Sequence, residues 1–210
     1  MKTKFYSFVQ KVLRPPLKLV FHTKYYGSEN EPSENEGPYI IASNHICNVD
    51  PIFLCGATDK QQPHFMAKKE LFKIPLLKGL ISKLGAYPVD RGGADVKAIR
   101  HSVNLLENGK CLGIFPQGHR YKGEDPRTTP VKSGIAMLAT KTHAQILPCF
   151  IKTKKNKVVP FFTKVEIIVG KPIKFEELNY NPEEKGEYVR ISNYIFERIC
   201  SLEHSLDEKK

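Results

Sequence analysis

The stretch Gly37-Pro38-Tyr39-Ile40-Ile41-Ala42-Ser43-Asn44-His45-Ile46-Cys47-Asn48-Val49-Asp50-Pro51-Ile52-Phe53-Leu54 holds the reading on which the fold turns. Its first half is an apolar run that alternates poorly, as a short strand buried on both faces does. Asp50-Pro51 then marks a helix start, with Asp expected to supply the cap and Pro suited to the first helical position. His45 and Asp50 therefore straddle a strand-to-helix turn. The same alternation recurs along the chain. Strands are expected at 38–44, 63–68, 85–90, 111–116, 146–152 and 165–169, and helices near 51–58, 70–83, 94–108, 131–143 and 182–203. This order predicts an α/β fold: a single domain with a mixed, largely parallel β-sheet covered by helices, its chemistry at the strand ends.

The 210 residues are enough for one sizeable core, and 40% hydrophobic with 26% charged residues is the make-up of an ordinary folded domain. The 33 basic and 22 acidic side chains leave a formal charge of +11, which calls for an anionic partner: nucleic acid, a membrane surface or a phosphorylated ligand. A nucleic-acid module would interleave its cations with stacking aromatics. The Lys152, Lys154, Lys155 and Lys157 cluster has none among them, and reads as a solvated turn or a lipid-headgroup contact. No nucleic-acid partner is expected. The five scattered cysteines form no C-x-x-C pair, which argues against a disulfide framework or zinc knuckle. For Cys47 a packing role is favoured over a nucleophilic one, and no histidine shows metal-ligand spacing, so no metal is expected.

Residues 1–26 read as an amphipathic N-terminal segment ahead of a domain at 27–210. Phe5, Phe8, Val9, Val12 and Leu13 fall three and four apart among Lys2, Lys4, Lys11 and Arg14, and Pro15-Pro16 is expected to stop this helix. The stripe fits a membrane interface, apolar face down, and fits docking on the domain's own core equally well. The polar stretch 27–37 is expected as a surface loop. No apolar run reaches about 18 residues and no secretory leader is visible, so the chain is expected in the cytosol, held peripherally at most.

On one continuous helix, His45 and Asp50 would be turned about 140° apart and could not meet. Across a turn, the carboxylate can fold back onto the imidazole, fix its tautomer and raise the basicity of the other ring nitrogen. Such a pair in isolation is more often structural, and here three more segments accompany it. Tyr87-Pro88-Val89-Asp90-Arg91 and Phe115-Pro116-Gln117-Gly118-His119-Arg120 are strand ends that each present an arginine beside glycine, a plausible phosphate clamp; Leu147-Pro148 interrupts a third strand.

In order and spacing, these four blocks resemble the motifs of the 1-acyl-glycerol-3-phosphate acyltransferase family, over residues 38 to 173 or so and including Met66-Ala67-Lys68-Lys69-Glu70-Leu71 and Val131-Lys132-Ser133-Gly134. The resemblance implies that His45 is the general base for a glycerol hydroxyl, oriented by Asp50, and that acyl-CoA or acyl-carrier protein is co-substrate, with no cofactor and no covalent intermediate. It implies that Arg91, Gln117, Gly118 and Arg120 bind the acceptor, with Lys68 a further cation near the phosphate and Pro148 shaping the acyl side. The implied partners are lysophosphatidate, an acyl thioester and an anionic membrane surface, on its cytoplasmic face. The third block departs from the family's usual Phe-Pro-Glu-Gly-Thr-Arg at Gln117 and His119, positions at which acceptor choice is expected to be made.

Overall fold

The computed structural model describes residues 2–90, 95–154 and 162–206. Its centre is a seven-stranded sheet in the order β1-β7-β6-β2-β5-β3-β4. The strands are β1 (Lys24–Tyr26), β2 (Tyr39–Ser43), β3 (Pro63–Lys68), β4 (Tyr87–Val89), β5 (Cys111–Ile114), β6 (Gln145–Thr153) and β7 (Val165–Val169). All neighbours run parallel except β6 and β7. The expected mixed, largely parallel sheet is the observed one.

The poor alternation of the β2 sequence has a direct cause. Ile40 and Ala42 fill a core shared with helices α4 (Val96–Glu107), α5 (Gly134–Thr142) and α6 (Glu187–Ser201), whereas Tyr39 and Ile41 fill one beneath α1 (Lys4–Phe21) and α2 (Asp50–Ala57). Every residue of β2 is buried, so polar alternation has no place in it. The remaining helix, α3 (Pro75–Lys83), follows β3 after a 3-10 turn at Lys69–Lys73. The single helix expected at 70–83 is thus divided, and Pro75 sits at the start of its second part.

The expectation that Pro15-Pro16 ends the first helix is not met, since α1 continues through both to Phe21. A proline costs a helix the hydrogen bond to the carbonyl four residues back. Those carbonyls belong to Lys11 and Val12, which with both prolines lie on the exposed side, where water replaces the lost donors. One side of α1 docks firmly. Tyr6 and Leu17 are buried, Gln10 Nε2 donates to the carbonyls of Cys55 and Thr58 at 2.6 Å each, and Arg14 reaches the Gly56 carbonyl at 3.0 Å. Phe5, Phe8, Val12 and Leu19 are exposed. At about 100° per residue they fall in one stripe roughly opposite the docked side.

The 27–37 stretch is also more than a surface loop. It holds two 3-10 turns and a buried carboxylate, Glu31, which accepts from the Tyr39 hydroxyl at 2.7 Å and from the Asp59, Lys60 and Gln61 amides. Among the described residues no helix is long and apolar enough to cross a membrane.

Candidate active site

Asp50 is the fixed point of the β2–α2 turn. Its carboxylate is fully buried and accepts four hydrogen bonds from the residues just before it. The Ile46 and Cys47 amides reach Oδ2 at 2.6 and 2.8 Å, His45 Nδ1 reaches the same oxygen at 2.8 Å, and the Cys47 thiol reaches Oδ1 at 2.9 Å. Asp50 therefore does not cap α2 as its sequence position suggests. The helix begins without a side-chain cap, because the carboxylate turns back to the amides and imidazole of the preceding turn. With the acceptor ionised, Nδ1 carries the ring hydrogen and Nε2 is left with its lone pair. Burial pushes the Cys47 thiol up to about 12, and the Asp50 charge adds to the shift. Cys47 stays protonated as a donor to Asp50, in keeping with a packing role over a nucleophilic one.

The backbone of His45 is gripped from both sides by the Phe115–Arg120 block and the residue after it. Its N–H donates to Gln117 Oε1 at 2.7 Å, and its carbonyl accepts from the Tyr121 N–H at 3.0 Å. The imidazole stacks on Phe115, ring centres 4.0 Å apart, and Phe115 in turn faces Phe65 at 6.0 Å. Gly113 makes room for this column, since a Cβ there would sit 2.1 Å from the Phe65 ring. Asn44 ties the turn to the sheet by bonding both the N–H and the C=O of Ile151, at 2.8 and 3.0 Å.

His45 opens into a cavity of about 460 Å³ at the carboxyl ends of β2, β3, β4 and β5, where an open α/β sheet places its sites. Met66, Val89 and Ile114 give it apolar walls; Asp90, Gly118, His119 and Lys132 give it polar ones. Gly118 lies at φ +70°, and a Cβ there would press on the Lys132 side chain at 3.2 Å.

The sequence-named residues divide accordingly. His45 and Asp50 touch, and Gly118 is on the cavity wall. Gln117 is not on that wall: it is 1% exposed, and its amide nitrogen donates to Thr129 Oγ1 at 2.7 Å while its oxygen holds His45. Both ends are used inside the protein, where the side chain acts as a strut behind the histidine. Arg120 is exposed beside the turn, donating to Asn48 Oδ1 at 2.6 Å. Lys68 ends β3 in register with Val89, 3.7 Å from Glu70 and off the cavity wall. Arg91 lies outside the described residues. Pro148, on β6 opposite Ala42, is in the sheet away from the cavity. Lys132 is a cavity cation that the sequence reading does not name. Its backbone N–H is held by the Pro116 carbonyl at 2.8 Å, a long-range bond that no local spacing announces. Its one sequence signal is its place in Val131-Lys132-Ser133-Gly134.

His45 thus lies at the end of a buried parallel strand and faces a cavity that joins apolar and polar walls. The chain belongs to the acyltransferase family, whose sequence model matches residues 22–152, and it is accordingly an acyltransferase. It is similar to a 1-acyl-sn-glycerol-3-phosphate acyltransferase of Bacillus subtilis (strain 168), with 31% identity across 97% of this chain and 99% of that protein. A Streptococcus pneumoniae protein of the same name is 29% identical over 79% of this chain and 61% of its own length. The crystal structure of the 1-acyl-sn-glycerophosphate (LPA) acyltransferase PlsC from Thermotoga maritima superposes with a TM-score of 0.74 at 25% identity, covering 99% of this chain and 84% of that one.

Proposed function

We propose that this protein transfers an acyl group from acyl-CoA or acyl-carrier protein to the free sn-2 hydroxyl of 1-acyl-glycerol 3-phosphate, giving phosphatidic acid at the cytoplasmic face of a membrane. The observation that carries the mechanism is the 2.8 Å contact between His45 Nδ1 and the fully buried Asp50 carboxylate. His45 Nε2 removes the hydroxyl proton as the oxygen attacks the thioester carbonyl. The tetrahedral intermediate collapses, the C–S bond breaks and the imidazolium gives its proton to the departing thiolate. Asp50 holds the tautomer and offsets the imidazolium charge. His119 and Lys132 on the cavity wall, with the Gly118 backbone and Arg120 beside the turn, suit an acceptor phosphate. The outward stripe of Phe5, Phe8, Val12 and Leu19, among Lys4, Lys11 and Lys18, suits contact with the bilayer from which the acceptor comes.

The test is thioester-dependent acylation of lysophosphatidate by wild type and His45→Ala. Loss of roughly 10² to 10⁴ in rate is expected for the variant. Much faster acylation of glycerol 3-phosphate or of another lysophospholipid would replace the assigned acceptor, and equal rates for the two proteins would remove His45 from the mechanism.

A further inference from the structure

The cavity beside His45 is one of three that follow one another along β4, an edge strand of the sheet. Asp90 lines it and also a second cavity, of about 410 Å³, between β4 and the first two turns of α4. Tyr87 and His101 line that second cavity and also a third, of about 670 Å³. In the third, Lys83 ends α3, Lys110 precedes β5 and His64 stands near the start of β3. The three therefore form a trough that runs from the carboxyl to the amino ends of the strands.

Charge changes in order along this trough. The far cavity gathers Lys83, Lys110, His64 and His101, and among the described residues no acidic side chain lines it. His64 is fixed there, with Nδ1 3.1 Å from the Cys111 carbonyl. Burial pushes its pKa below the ordinary value, and the Lys110 and His101 charges push it the same way, so the positive field reaches into the wall. The middle cavity is balanced, with Lys69 and Lys97 against Asp90 and Asp95. Lys69 pairs with Asp90, and Asp95 caps α4 by accepting from the Ala98 N–H at 3.0 Å. The near cavity holds His45.

A cationic end, a charge-balanced middle and an imidazole at the other end match one ligand that carries a phosphate, an uncharged arm and a reacting group. The length agrees. A phosphopantetheine arm has, from its phosphate-bearing oxygen to its sulfur, as many bonds as the backbone of four residues, a reach of about 13 to 14 Å. Ala86 in the far cavity and Asp90 in the near one flank β4 and stand four residues apart, about 13 Å at the rise of a strand.

We propose that this trough seats the acyl donor: the phosphate of a phosphopantetheine thioester binds among Lys83, Lys110, His64 and His101, and its arm runs along β4 past Asp90 to bring the thioester to His45. The proposal rests on the reading of the protein as an acyltransferase that takes a thioester donor. Free coenzyme and carrier protein share this arm. The donor phosphate then lies at the amino ends of the strands and the acceptor phosphate, near His119 and Lys132, at the carboxyl ends, so neither substrate blocks the other.

The test uses full-length wild type, Lys83→Ala with Lys110→Ala, Lys110→Arg, and Lys185→Ala, which loses a charge on another element. Calorimetry measures binding of desulfo-CoA, which has the arm and phosphates but no sulfur to react. KM is then measured for acyl-CoA, for acyl-carrier protein and for acyl-pantetheine, which lacks the phosphate. The double alanine variant is expected to bind desulfo-CoA about tenfold more weakly or worse and to raise KM for the phosphorylated donors alike. Its melting temperature and its KM for lysophosphatidate and acyl-pantetheine should stay unchanged, and Lys110→Arg and Lys185→Ala should resemble wild type. A rise confined to acyl-CoA assigns the trough to the free coenzyme, and one confined to acyl-carrier protein assigns it to the carrier-borne arm. Unchanged KM for both phosphorylated donors overturns the proposal, and so does an equal rise for acyl-pantetheine. A wild type that binds desulfo-CoA through these lysines yet acylates no lysophosphatidate upholds the trough and defeats the acceptor reading.

Discussion

The β2–α2 turn and the polar wall of the cavity are built on contrary plans. Around Asp50 every donor has its acceptor inside the protein, and the residues are buried. On the polar wall of the cavity, Gly118, His119 and Lys132 stand exposed. In the proposed reaction His45 is a base aimed before substrate arrives, with its partners supplied by the protein, and Lys132 is a charge left for the acceptor phosphate to neutralise. Substitutions in the turn should therefore damage folding and rate together, whereas those on the wall should damage affinity alone.

Asp50→Ala is the harshest way to break this division. It strands the Ile46 and Cys47 amides and the imidazole, at a cost on the order of 1–3 kcal/mol for each buried donor left without an acceptor. A fall of several kcal/mol in urea unfolding is expected, with a rate loss close to that of His45→Ala; normal stability with normal rate would show that the turn does not depend on its carboxylate. Gln117→Glu probes the strut. The new side chain can still accept from His45 but offers Thr129 no donor, and its charge is desolvated, so about 2 kcal/mol of stability should be lost with KM for the acceptor unchanged. A change in KM alone would return position 117 to the binding wall.

Lys132→Ala sharpens the other side. Loss of one charge-assisted contact should raise KM for a phosphate-bearing acceptor about tenfold, leaving kcat and the melting temperature near wild type. A kcat effect without a KM effect would instead place the lysine with the base. The smallest effect belongs to a charge that serves neither region. Arg190 hydrogen-bonds Glu187 at the start of α6, the Asn181 N–H adds to it, and together they hold the carboxyl at about 2 against an ordinary 4.5. A depressed carboxyl stabilises the fold above its unfolded value, and that contribution fades as pH falls from 4.5 towards 2. Glu187→Gln should flatten the melting temperature over that window and leave acylation at neutral pH intact.

The sequence disclosed most where the structure depends on neighbours. His45 and Asp50 meet across a turn that separates them by five positions, and β2 shows its double burial by failing to alternate, so the α/β plan and the pair are both legible. Reading failed where direction or distance decides. A motif names Gln117 but not the way its side chain points, and Lys132 reaches the cavity through a backbone bond to Pro116, on a different element. The passage of α1 through two prolines was illegible for a third reason, since proline's penalty depends on whether the freed carbonyls face water. The direction of the Asp50 carboxylate is illegible too, because an Asp-Pro pair has the same spelling whether its carboxylate faces forward along the helix or back to the turn.

The locality of the Asp50 contacts bears on how the protein assembles. The dyad closes within a loop of a few residues, among the fastest events available to a folding chain. The cavity walls come from Met66, Val89, Phe115 and Lys132, spread along the chain from β3 to beyond β5, and their meeting requires slow, non-local strand pairing. During refolding, an oriented imidazole should thus exist before there is anywhere for an acceptor to bind, and recovery of activity should follow completion of the β3–β4 edge of the sheet.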